Sequence, residues 1–198
     1  MNTLENSNIV LIGMPGVGKS TVGVVLAKKL GFSFVDSDLV IQDTCGKLLH
    51  ELIEQYGIEG FWKIENDINA AIHRHKAVIA TGGSAVYGKE AMEHFRSIGT
   101  VVYLELPYEE IADRLGDLNA RGVTIMQGQT LKELYEERRP LYQKYAHITV
   151  NCSNKVIRQV VEAVANAVAR VDAESCSLCD GKYDAVGISQ HPGNDLGE

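Results

Sequence analysis

The sequence predicts an α/β fold: a mainly parallel, five-stranded sheet with helices on both faces. Three observations lead there. Short apolar runs alternate with helix-like stretches from residue 8 to about Arg170. The first run, Ile9-Val10-Leu11-Ile12, passes through a glycine-rich turn directly into a helical pattern. The chain has 198 residues, 45% hydrophobic and 23% charged, the length and composition of one ordinary globular domain. A core of that size can shield a reaction centre from water.

The expected strands lie near 8–13, 32–36, 77–81, 100–105 and 147–151. The expected helices lie near 19–30, 46–56, 59–75, 88–97, 107–116, 131–146 and 154–170. Right-handed crossovers between parallel strands bring the strand C-termini, and so any ligand crevice, to one edge of the sheet. The turn after strand 1, Asp36 and Thr81 all fall on that edge.

The turn after strand 1 is Gly13-Met14-Pro15-Gly16-Val17-Gly18-Lys19-Ser20-Thr21, a P-loop pattern between a strand and a helix as that pattern requires. Gly13, Gly16 and Gly18 let backbone N–H groups turn inward and form a nest for phosphate oxygens at the positive end of the helix. Lys19 supplies a mobile charge for β- and γ-phosphates, and Ser20 a hydroxyl ligand for Mg²⁺.

Strand 2 runs into Asp36-Ser37-Asp38. Beside a phosphate nest, one carboxylate can hold Mg²⁺ or its waters while the other engages an attacking hydroxyl. The plainer alternative is that Asp36 or Ser37 caps a helix starting ahead of Leu39-Val40-Ile41. Strand 3 ends in Thr81-Gly82-Gly83-Ser84, where a Gly-Gly pair permits close approach of a ligand to the backbone, or simply makes a tight turn.

From Leu115 to Thr130 helical periodicity lapses, with glycines at 116, 122 and 128. Arg114 and Arg121 on such a segment suit a lid that closes over a phosphate site and adds positive charge; the alternative is two solvated arginines. In the stretch that follows, Pro140 should kink or restart the helix and could turn Arg138 toward the crevice.

Composition narrows the partners. A formal net charge of −7 with no basic block argues against nucleic acid and anionic membranes as partners. No apolar run reaches the length of a membrane span, and residues 1–7 lack signal-peptide character, so a cytoplasmic location is expected. Cys45, Cys152, Cys176 and Cys179 are too scattered for a disulfide framework. Cys176-Ser177-Leu178-Cys179 is half a zinc site at best, and residues 171–198 read as a flexible extension beyond a domain spanning 1–170. His73 and His75 read as a solvated helix end before a metal pair.

Taken together, residues 7–170 resemble the shikimate kinases, small P-loop kinases of the nucleoside-monophosphate-kinase type with a three-layer sandwich. The matching pieces, in order, are Gly13 to Thr21, Asp36-Ser37-Asp38, Phe61 with Glu65, Gly82-Gly83, Arg114 with Arg121, and Arg138-Arg139-Pro140-Leu141-Tyr142. By position, the resemblance implies that Gly13, Gly16, Val17, Gly18, Lys19, Ser20 and Thr21 hold ATP, with Ser20 and Asp36 at Mg²⁺. It implies further that Asp38 binds acceptor hydroxyls and acts as base, and that Gly82 and Gly83 contact the acceptor. Arg138 would bind its carboxylate, Arg121 would serve as lid arginine, and Arg114 would pack on adenine. Acceptor-binding helices would occupy about 37–75 and the lid about 114–130.

There are departures. The family pattern Phe-Arg-x-x-Glu stands here as Phe61-Trp62-Lys63-Ile64-Glu65, so a carboxylate-gripping arginine becomes Trp62, which reads either as ordinary core or, from the family position alone, as an apolar wall of the acceptor pocket. Ser84 replaces a third glycine, and Gly122-Val123 follow the lid arginine in place of proline and leucine. The expected activity is transfer of a phosphoryl group from MgATP to a small anionic metabolite, shikimate first, as in aromatic amino-acid biosynthesis. The alternatives are another hydroxyl substrate such as homoserine, or a catalytically silent nucleotide-binding regulatory module. Kinases of this architecture are often monomers, so a monomer or a weak dimer is expected.

Overall fold

The computed structural model describes residues 8–115, 125–126 and 128–180. Five strands, β1 (Asn8–Ile12), β2 (Ser33–Asp36), β3 (Ala77–Ala80), β4 (Gly99–Glu105) and β5 (Ile148–Asn151), form one sheet in the order β2-β3-β1-β4-β5. All four pairings are parallel. The helices are α1 (Lys19–Leu30), α2 (Ser37–Cys45), α3 (Leu49–Ala70), α4 (Lys89–Ile98), α5 (Tyr108–Leu115), α6 (Leu131–Tyr145) and α7 (Ile157–Asp180), with a 3₁₀ turn at Ala85–Tyr87.

The order of the strands places the crevice. From β1 the chain crosses to β2 on one side of the sheet, whereas β3 leads to β4 in the opposite direction. With right-handed crossovers, α1 and α4 must then lie on opposite faces. The loops after the adjacent strands β1 and β3 therefore diverge and open a cleft between them at their C-terminal ends. β1 is central and completely buried, as a parallel strand covered on both faces should be. Asn8 ties the starts of three strands: its Oδ1 accepts from Ala77 N at 3.1 Å, and its Nδ2 donates to Arg74 O at 2.7 Å and Ile98 O at 3.0 Å.

Four element predictions need correction. The element-by-element reading starts its second helix at 46, but the capping alternative is the one that holds: α2 forms at 37–45 because the Asp36 side chain accepts from Asp38 N at 3.1 Å and caps it. The expected break between 56 and 59 is found at Gly57 (φ 69°, ψ 175°), inside α3, but α3 stops at Ala70 and leaves His73 and His75 in the following loop. Pro140 does not restart a helix; α6 runs through it as one element from a Thr130–Glu133 capping box to Tyr145. Finally, α7 reaches Asp180, ten residues beyond the expected end, so the segment from Val171 begins as helix. No glycine or proline interrupts the sequence before Gly181, and Val160, Val161, Val164 and Val168 anchor the earlier turns in the core. Cys176 and Cys179 lie on the last turns of α7, and residues 181–198 are outside the described part.

A small second core, Ile41, Leu52 and Phe61, joins α2 to α3 apart from the main core around the sheet. It carries these helices over the crevice as a separate packing unit, with Leu49 and Ile53 partly buried against it. Among the described residues no helix is long and apolar enough to cross a membrane.

Candidate active site

The loop after β1 needs backbone that only glycine adopts readily: Gly13, Gly16 and Gly18 have φ of 145°, 80° and 101°. Gly18 precedes α1 and offers no side chain to cap it, which leaves the first N–H groups of the helix for an anion. Lys19 is buried, and its Nζ donates to the carbonyls of Gly13 (2.8 Å) and Met14 (3.0 Å). Burial lowers its pKa to about 8, against the opposing pull of the Asp38 charge.

Ser20 Oγ donates to Asp36 Oδ2 at 2.7 Å, while the other Asp36 oxygen caps α2. One carboxylate therefore serves both readings of the Asp-x-Asp motif. A hydroxyl and a carboxylate beside a phosphate nest form the partial oxygen set that Mg²⁺ completes with phosphate and water. Among the described residues, no group of three or more His, Cys, Asp or Glu could hold a metal ion without such help. That count includes His73 and His75.

The floor of the cleft is Thr81-Gly82-Gly83-Ser84. Thr81 is pinned to β1 through its N and Oγ1, both donating to Leu11 O at 3.2 and 3.1 Å. Gly82 N donates to Ser37 Oγ at 3.3 Å. A Cβ on Gly82 would stand 2.8 Å from Asp38 Oδ1 and closer still to Glu65 Oε1, so a larger residue there would have to displace both carboxylates. On Gly83 it would meet Pro15 at 2.8 Å and Arg138 Nη1 at 3.2 Å. Asp38 titrates near 6, raised by burial and by the charge of Asp36. Glu65, 2% exposed, is raised to about 7 by burial, with the Ser84 hydroxyl easing that cost and the Asp38 charge adding to it.

Arg138 and Tyr142 are one helical turn apart, on the same side of α6. Both are fully buried. Tyr142 OH donates to Gly83 O at 2.7 Å, and Arg138 Nε donates to Tyr87 OH at 3.2 Å. The Arg-x-Pro-Leu-Tyr motif thus clamps the Gly-Gly floor to α6.

Two cavities meet here. One, of about 390 Å³, is lined by the P-loop, Lys19, Ser20, Thr21, Asp38, Leu49, Ile53, Phe61, residues 81–84 and Arg138. The second, of about 590 Å³, shares Gly18 and Thr21 with it and adds Val17, Arg114, Cys152, Lys155 and Ile157 among its walls. Arg114 is held there by Val17 O (3.4 Å) and Glu110 (3.8 Å). The arrangement joins a phosphate nest, a metal-competent oxygen pair, a carboxylate poised near neutrality and a buried guanidinium. Chemically, that is equipment for moving a phosphoryl group onto a hydroxyl.

A sequence model of the shikimate kinase family matches residues 15–169. The shikimate kinase of Francisella tularensis subsp. novicida is 35% identical over 166 residues, which cover 82% of this chain and 94% of that one. This chain belongs to the shikimate kinase family. Among solved structures, shikimate kinase from Acinetobacter baumannii in complex with shikimate is similar at a TM-score of 0.74 and 30% identity, covering 92% of this chain and 97% of that one. Shikimate kinase from Aquifex aeolicus is similar at 0.70 and 31%, over 86% and 98%. The chain is accordingly an ATP-using small-molecule kinase, with the fold of this family.

Against that background, Lys19, Ser20, Asp36, Asp38, Gly82, Gly83 and Arg138 come together at one cleft, and Val17 and Arg114 at the adjoining cavity. Arg121 lies outside the described residues. Trp62 does not line the cavity: it packs against the small core of Ile41, Leu52 and Phe61 and on Tyr87, centroids 4.3 Å apart and rings tilted by 33°, which is the core reading of that residue and not the pocket-wall one. Tyr87 itself was not legible as a site residue, since its contact with Arg138 spans 51 positions and carries no local motif.

Proposed function

We propose that this kinase transfers the γ-phosphate of MgATP to a hydroxyl of shikimate. The carrying observation is the convergence of Lys19, Asp38 and Arg138 on one 390 Å³ cavity over the Gly82-Gly83 floor. The phosphates lie on the loop N–H groups, and Lys19 turns from the loop carbonyls to their charge. Ser20 and Asp36 would hold Mg²⁺, which would supply positive charge to the phosphate oxygens. The purine occupies the second cavity beside Arg114 and Ile157.

Asp38 accepts the hydrogen bond of the acceptor hydroxyl. With a pKa near 6 it is mostly ionised at neutral pH, yet basic enough to take the proton as the new P–O bond forms. Arg138, fully buried, holds the acceptor's carboxylate by charge-assisted hydrogen bonds. In this reading the lid brings Arg121 onto the transferring group and excludes water. On the same reading the enzyme works in the cytoplasm on a small-molecule acceptor, as a monomer or a weak dimer.

A coupled ADP-release assay with shikimate, homoserine and other small hydroxy acids tests this, with product identified by mass and Lys19→Met as the inactive control. Shikimate-dependent ADP release exceeding that of the other acceptors by at least about tenfold in kcat/KM is the expected outcome. Preference for homoserine would reassign the acceptor. ATP binding without phosphorylation of any acceptor would point to a silent nucleotide-binding module.

A further inference from the structure

In the cavity wall, Lys19 and Arg138 are the two cations among the described residues, and Lys19 is directed to the P-loop. Recognition of an acceptor carboxylate therefore rests on Arg138, where the family pattern has a second arginine in place of Trp62. A single guanidinium grips a carboxylate well only if its plane is held.

Tyr87 supplies part of that hold, alongside the Tyr142 hydroxyl. The Tyr87 hydroxyl accepts from Arg138 Nε at 3.2 Å, and the ring centroid is 5.1 Å from Arg138 Cζ. The same hydroxyl donates to Glu137 Oε1 at 2.7 Å, and Glu137 Oε2 accepts from Gln129 Nε2 at 2.6 Å. Tyr87 is itself fixed from two sides. The 3₁₀ turn is closed by Tyr87 N donating to Ser84 O at 2.9 Å and Gly88 N to Ala85 O at 3.1 Å. Trp62 backs the ring from α3 at 4.3 Å and 33°. The Trp62 Nε1–H is buried without an acceptor, so ring packing, not a hydrogen bond, determines where that side chain sits.

We propose that Tyr87, backed by Trp62, is a positioning residue that sets the plane of Arg138 for the acceptor's carboxylate. The pair replaces a second cation with a brace on the first. This rests on the acceptor reading above. Its consequence is that the aromatic pair governs acceptor affinity without touching the acceptor, and leaves the nucleotide side alone.

Steady-state kinetics of Tyr87→Phe and Tyr87→Leu, each alone and combined with Arg138→Lys, test it, with thermal unfolding as the check on folding. Tyr87→Phe keeps the ring and should raise the KM for shikimate about fivefold, whereas Tyr87→Leu should raise it about thirtyfold or more. The KM for ATP should stay within about twofold in both. On the Arg138→Lys background, where the guanidinium is gone, the Tyr87 substitutions should add less than about twofold. Trp62→Ala should follow Tyr87→Leu in direction, and Trp62→Phe should lie close to the unaltered enzyme. An unchanged shikimate KM in Tyr87→Leu, equal rises in both KM values, or the same penalty on both backgrounds would overturn the inference while leaving the acceptor reading intact. Failure of the unaltered enzyme to phosphorylate shikimate would overturn that reading and this inference with it.

Discussion

Asp38 and Lys19 face each other across the cleft with pKa values drawn toward neutrality from opposite ends, about 6 and about 8, each chiefly by burial. In the proposed mechanism Asp38 must be ionised and Lys19 protonated, so kcat/KM should rise as pH passes about 6 and fall as it passes about 8. A pH–rate profile checks this; a flat profile between 5 and 9 would remove Asp38 from the role of base. Glu65 gives a second reading at the same scale. Its folded pKa, about 7, is above its ordinary value of 4.5, so folding takes up a proton and the ionised form opposes folding. The penalty is absent below pH 4.5 and complete above about 7. Glu65→Gln should therefore raise Tm by a few degrees at pH 8 and leave it nearly unchanged at pH 4, measured by calorimetry.

At the scale of elements, the ends of β1, β3 and β4 depend on one side chain. Asn8 makes three hydrogen bonds to backbone groups of residues 74, 77 and 98, and it is 1% exposed. Asn8→Ala would strand those groups, at a cost of about 2–3 kcal/mol, or a fall in Tm of about 4–12 °C. Chemical denaturation and a thermal scan measure it; kcat should change little, because the opposite ends of the strands carry the site. What could be read from the sequence divides along similar lines. The strands and α1, α4 and α6 were legible because each is a periodic apolar run with its own start and stop signals. The nine residues of α2 are too few to show a period, and their cap, Asp36, is equally a site residue. The P-loop and Arg-x-Pro-Leu-Tyr clamp could be seen as contiguous motifs. Tyr87 could not, since it meets Arg138 only after β4, α5 and the segment before α6 have been threaded between them. Trp62 was recognised as a departure with two readings, core or pocket wall, because sequence position fixes the helix face and not which neighbour the ring chooses.

The molecule as a whole is two packing units around a cleft: the sheet with its large core, and α2 with α3 joined by the small core of Ile41, Leu52 and Phe61. A nucleotide bound across both cavities should stabilise the sheet unit by mass action. At a hundred times its Kd, MgATP should add about 2.7 kcal/mol, which is about 5–10 °C in Tm for a chain of this size. A thermal-shift titration shows it, and chelation of the metal should diminish it. A shift from shikimate alone should be smaller, growing once the nucleotide is present.

The close approach at Gly82 has a consequence for how this enzyme can be altered. Any side chain there would press on both Asp38 and Glu65, the two carboxylates that meet at this floor. The floor thus leaves little room for tailoring, whereas the cavity wall at Leu49 and Ile53, and the Trp62–Tyr87 pair packed outside it, can be exchanged. A laboratory selection for a new acceptor would leave the paired glycines untouched and collect its changes on α3 and on the short turn that carries Tyr87.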